Sequence, residues 1–208
     1  MYKKIIFSVL CLFMLSFLNA QQKKKTYAKK PTTTSKPIPK VVQNYDDYES
    51  VYVTTGDLGC SNVVPRYDYT IDTGLLVKNH GDLDLVVKII NLEDNIASRM
   101  VYIQKNSSYE IKNIPQGRYI IKEAHGEVWK QKNVDGKCFG IFTDENAMYR
   151  QSKNVADFFV TKRIEGDYEV TNIPSYELEL GIRFVKDPKQ RNNSTYHTNR
   201  ISSSEFNQ

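Results

Sequence analysis

Between residues 74 and 125 the chain alternates apolar and polar residues in short runs, with a turn about every ten residues, and that pattern admits little other than antiparallel β-sheet. Residues 75–78 form a first short strand, and Asn79-His80-Gly81-Asp82 turns the chain. The next strand, 83–92, sets Leu83, Leu85, Val87 and Ile89 on one face. Asp84 and Lys88 lie on the other, beside Val86 and Ile90. A turn at Glu93-Asp94-Asn95 leads to a strand over 97–104 with Val101 and Ile103 inward. Residues 108–114 follow with Tyr109 and Ile111 on one face. Pro115-Gln116-Gly117 makes a tight turn in which Gly117 supplies φ freedom, and 118–125 returns with Tyr119 and Ile121 inward.

Later elements are sparser. Trp129, the one tryptophan, is expected to cap the core or fill a groove, and 138–142 reads as a strand. Residues 144–152 read as a short helix or an irregular loop; 157–160 and 168–170 are weak strands. Over 176–185, Tyr176, Leu178, Leu180, Ile182 and Phe184 alternate with Ser175, Glu177, Glu179 and Arg183, which means one buried face and one wet face. An N-terminal strand is expected at Val51-Tyr52-Val53. The expected fold is all-β and mainly antiparallel: a single β-sandwich over residues 45–185, followed by a disordered polar tail over 186–208.

The N-terminus has a different purpose. Lys3 and Lys4 precede an apolar run of about 14 residues that ends near Ala20, too short for a bilayer span of roughly 20 and suited to a cleaved signal peptide over 1–20. Residues 21–44 are rich in Lys, Pro and Thr and read as an extended, disordered linker. Charge divides along the same line. Of 29 basic residues, two lie in the signal and seven in 21–40, leaving 20 against 24 acids, a net of −4 for 41–208. The folded part therefore lacks the basic surface that nucleic-acid binding requires.

Signal cleavage leaves two cysteines, Cys60 and Cys138. In an oxidising compartment they are most simply a disulfide closing 78 residues of sequence; two free buried thiols are the alternative, and a zinc site lacks its further ligands.

The run Ser108 to Tyr119, with its Asn113-Ile114-Pro115-Gln116-Gly117 turn and the aromatic Tyr119 after it, resembles a hairpin of transthyretin-like and carboxypeptidase-regulatory-like β-sandwiches. Together with Gly126-x-x-Trp129, Gly136-Lys137-Cys138 and the strand from Pro174 to Leu178, it resembles an exported β-sandwich domain of Gram-negative bacteria. The resemblance implies seven to nine antiparallel strands and nothing catalytic. Pro115, Gly117, Tyr119 and Trp129 are its turn and core positions.

Catalytic and metal motifs are missing from the sequence: no HExxH, no paired CxxC, no Gly-x-Ser-x-Gly, no phosphate cradle. Glu123 and His125 share a strand face and would suit a small metal or acid–base site, but an exposed strand end is the expectation. Acids in the turns at 79–82 and 93–95 are expected to serve turn geometry rather than calcium. Of 14 tyrosines, Tyr45, Tyr48 and Tyr52, with Tyr67 and Tyr69, cluster ahead of the main sheet. Such rings offer a glycan- or protein-binding surface, or pack the N-terminal segment on the sandwich.

These readings lead to an exported, non-enzymatic cell-envelope module, located in the periplasm, on the outer surface or in the medium. It would bind an envelope protein or surface polymer, with no cofactor and no transmembrane segment after cleavage. One alternative is an exported hydrolase of wall or glycan that uses Glu123 with Glu127, or Glu177 with Glu179. Another is a structural subunit held to an anionic surface by its basic leader.

Overall fold

The computed structural model describes residues 45–182 and 197–208; the signal and linker readings lie outside those residues, as do Phe184, Val185 and 186–196. Among the described residues there are fourteen strands and one short helix: β1 (Glu49–Ser50), β2 (Gly74–Asn79), β3 (Asp84–Asn91), β4 (Ala97–Ile103), β5 (Ser107–Lys112), β6 (Arg118–Gly126), β7 (Trp129–Val134), β8 (Lys137–Phe142), β9 (Met148–Ser152), β10 (Ala156–Asp157), β11 (Thr161–Glu165), β12 (Tyr168–Asn172), β13 (Ser175–Leu180), β14 (Thr198–Arg200) and α1 (Ser203–Asn207). The all-β, mainly antiparallel class is as expected. One pair departs from it: β13 runs parallel to β2.

A central sheet of order β14-β9-β6-β3-β4, with β10 on the start of β6, has a three-stranded sheet on each side. On one side is β13-β2-β5. Leu85, Val87 and Ile89 of β3 meet Leu75, Val77, Ile111 and Leu180 there, in a core completed by Val101, Ile103, Tyr119, Ile121 and Phe158. Leu85, Val87 and Ile103 are fully buried, each contributing about 1.5–3 kcal/mol. The second side, which carries Lys88 beside Val86 and Ile90, is buried as well. Val86, Tyr102 and Ala124 point into another core with Trp129 and Phe142 of β7 and β8, Tyr149 of β9 and Phe206 of α1. The domain thus has a third layer beyond the two facing sheets of a simple sandwich.

The turn read at 115–117 is present and its residues lock together. Gly117 has φ 151°, and a Cβ there would come within 2.8 Å of the Asn91 side chain. The Tyr119 hydroxyl donates to the Pro115 carbonyl at 2.8 Å while its ring is buried. Trp129 belongs to the second core, edge-on to Phe142 at 4.9 Å. Its indole lies where a Cβ on Gly140 would fall, within 2.7 Å of three ring carbons.

Several expectations need correction. The N-terminal strand is Glu49–Ser50 rather than 51–53, and 144–152 contains a strand, β9, rather than a helix. In β13, Tyr176 is 40% exposed, because β13 is the edge of a narrow sheet. The end of the chain, read as a disordered tail, is ordered over 197–208. There β14 pairs with β9, and α1 opens with a capping box in which Ser202 and Glu205 satisfy each other's backbone N–H groups. Phe206 is completely buried against Tyr149. Lys88, on the face of β3 opposite Leu85 and Val87, is 1% exposed; its ammonium donates to the Phe206 carbonyl at 2.5 Å, and Lys122 donates to that of Glu205. Two lysine stems thus fill the second core while their amines hold the last carbonyls of the helix.

Candidate functional site

The register of β7 with β8 places Lys132 opposite Phe139 and Lys130 opposite Ile141 on the face turned away from Trp129. The turn at 45–48, closed by Tyr48 N–H to the Tyr45 carbonyl at 3.0 Å, lays two rings over this ribbon. Tyr45 and Tyr48 meet edge-to-face at 6.1 Å, and the Lys132 ammonium lies 4.7 Å from the Tyr48 ring centre. The far wall is α1, through Ser203, Ser204 and Asn207. Between them runs an open groove of about 580 Å³. Burial, with the neighbouring Tyr48, raises the pKa of the Tyr45 hydroxyl, so it stays a neutral donor.

Three restraints hold these walls. Cys60 and Cys138 form the expected disulfide, with Cα atoms 5.8 Å apart, and tie the 58–60 loop to β8. Gln131, buried in β7, donates its amide to the carbonyls of Leu58 (2.7 Å) and Cys60 (2.9 Å). Asn207 donates to the Gly140 carbonyl at 3.2 Å, fastening α1 to β8.

The tyrosines read as one cluster divide between different places. Tyr45 and Tyr48 line the groove, whereas Tyr52 is 90% exposed and does not line it. Tyr67 and Tyr69 stack on each other elsewhere, 5.3 Å apart and 7° from parallel. What the sequence reading missed is α1, and Ser202-x-x-Glu205 was the readable signal for it.

His125, expected at an exposed strand end, is fully buried. Its Nε2 lies 2.9 Å from Glu123 Oε2 on the face of β6 that carries Tyr119 and Ile121; Glu123 Oε1 and His125 Nδ1 have no partner. An acid–base pair so enclosed meets no substrate. Glu127 is exposed. Glu177 pairs with Lys78 at 2.5 Å, and Glu179 lies 3.9 Å from His80 on the exposed side of β13. In the turns, the Asn79 amide donates to the carbonyls of Leu83, Ile103 and Gln104, and Asp94 pairs with Arg66 at 2.5 Å. Among the described residues no three His, Cys, Asp or Glu side chains gather as a metal site, and no helix is long and apolar enough to cross a membrane.

The class defined by this geometry is a disulfide-tied, three-layer β domain with an aromatic groove. No protein-family model, curated protein or solved structure matches the chain.

Proposed function

We propose that the chain is an exported, non-enzymatic module of the cell envelope, acting in the periplasm, on the surface or outside the cell, and that it binds an envelope protein or surface polymer through the Tyr45–Tyr48 groove. The observation that carries this reading is the preformed groove. Rings, a lysine and the polar face of α1 converge on it from three stretches of chain, fastened by a disulfide, Gln131 and Asn207. Rigid aromatic walls with polar tips provide contact area at small entropic cost. The apolar run at 5–18 and the disulfide support export.

The test is co-sedimentation of the purified oxidised domain with isolated cell envelopes. Saturable binding is expected for the wild type, at least about tenfold weaker for Tyr45→Ala with Tyr48→Ala. Equal binding by the variant, or none by the wild type, removes the reading. Hydrolysis of wall or glycan lost in Glu177→Gln or Glu179→Gln would replace it with the hydrolase.

A further inference from the structure

Arg99 presents a problem of charge that the fold does not solve by itself. It lies near the start of β4, opposite Ile89, and is 4% exposed. Its guanidinium carbon sits 3.4 Å from the centre of the Tyr67 ring. NH1 donates to the Ser98 carbonyl at 3.3 Å and NH2 to that of Lys112 at 3.0 Å. No carboxylate among the described residues forms an ion pair with it: Glu110 is taken by Lys112 at 3.1 Å, and Asp94 by Arg66. A guanidinium keeps its proton under these conditions, so the buried charge persists, and buried charges are ordinarily paired. Of the five N–H donors of an arginine, two are used, which leaves three without a protein acceptor.

Those donors are not sealed in. Arg99 lines a concave site of about 280 Å³ with Tyr67, Tyr109, Glu110, Lys112 and Asn113. Tyr109 provides a ring wall, while the Tyr67 ring, with Arg99 over its centre and Tyr69 stacked on it, leaves its edge to the site; Tyr69, 77% exposed, extends the aromatic surface outward. The guanidinium N–H groups that the Ser98 and Lys112 carbonyls leave over suit a planar, two-oxygen anion. The Glu110 carboxylate at the rim disfavours a dianion more than a monoanion. The volume is enough for one ring and small for a peptide.

We propose that this site binds a monoanionic organic carboxylate on a sugar-sized ring, a uronate, with the carboxylate on Arg99 and the ring against Tyr109. It is separate from the Tyr45–Tyr48 groove and does not rest on it.

The probe is sodium glucuronate, titrated into the isotopically labelled, oxidised mature chain at low salt and followed by amide NMR, with glucose and inorganic phosphate in parallel. Saturable shifts are expected at Tyr67, Arg99, Lys112 and Asn113, with affinity at least about tenfold above that for glucose or phosphate. Arg99→Gln should abolish them, and Arg99→Lys, which keeps the charge without the fork, should weaken them. Glu110→Gln, at an exposed rim position, should strengthen glucuronate binding and thus decides the matter even if the Arg99 variants do not fold. The proposal is overturned by shifts that do not saturate, by equal response to glucose, by stronger binding of phosphate, or by no gain in Glu110→Gln. Shifts confined to Tyr45, Tyr48 and Lys132 would overturn it while leaving the groove standing.

Discussion

Raising the pH from 8 to 10 should stabilise this domain, because the Lys88 ammonium loses its proton more readily in the folded chain than in the unfolded one. Its amine lies 5.0 Å from the centre of the Phe206 ring, with Lys122 as its cross-strand neighbour on β6. Burial, and then repulsion from Lys122, lowers its pKa from 10.5 to about 8. Between those two values the unfolded chain holds the extra proton, so stability rises with pH through that window and gains nothing below it. At 1.36 kcal/mol per unit, the two units from pH 8 to 10 accumulate at most about 2.5 kcal/mol. Lys122, also lowered by burial, adds with the same sign. Tyr102 and Tyr149, whose pKa values burial raises, oppose the trend from about pH 9, where unfolded tyrosines begin to ionise, and take back about 0.4 kcal/mol each by pH 10. In urea, with a slope of about 2 kcal/mol per molar, the unfolding midpoint should climb by about 1 M at constant ionic strength. Lys88→Met keeps the apolar stem and removes the titrating group, so most of the climb should vanish. A wild-type midpoint that is level or falls between pH 8 and 10, or a variant that climbs as steeply, refutes the reasoning.

Replacing both Cys60 and Cys138 by serine should cost up to about 4.5 kcal/mol, from a sequence separation of 78 and the chain-entropy model, read as a lower midpoint in urea. Phe206→Ala should cost about 3–5 kcal/mol and expose β9 amides to hydrogen exchange, since its ring fills the second core beside Tyr149. Gly140→Ala should destabilise by more than about 2 kcal/mol and shift Trp129 fluorescence, because the added methyl overlaps the indole.

The meander from β2 to β6 was legible because each strand shows its core face at period two and each turn is marked by Gly, Asn, Asp or Pro. The disulfide followed from counting cysteines once the signal was set aside. Lys88 and Lys122 hide the second core from a sequence reading: a lysine at alternate positions carries the signature of water, and only the distant carbonyls of Phe206 and Glu205 make burial tolerable there. Phe206 is one ring in a polar stretch, so no periodicity announces it. The isolated hairpin of β11 and β12 is exposed almost throughout and has no buried face to betray it. Of the groove, Tyr45 and Tyr48 stood in the tyrosine cluster of the sequence, and both line it. Its walls in β7, β8 and α1 come from residues scattered over 132–207, which only the fold unites.

Export with pairing of the two cysteines underlies the whole functional account, and the intact mass of the protein recovered from its own cells measures both together. The account predicts a chain beginning at Gln21, two hydrogens lighter than its reduced form and found outside the cytoplasm. A cytoplasmic chain that still carries residues 1–20, with Cys60 and Cys138 both open to alkylation, contradicts it.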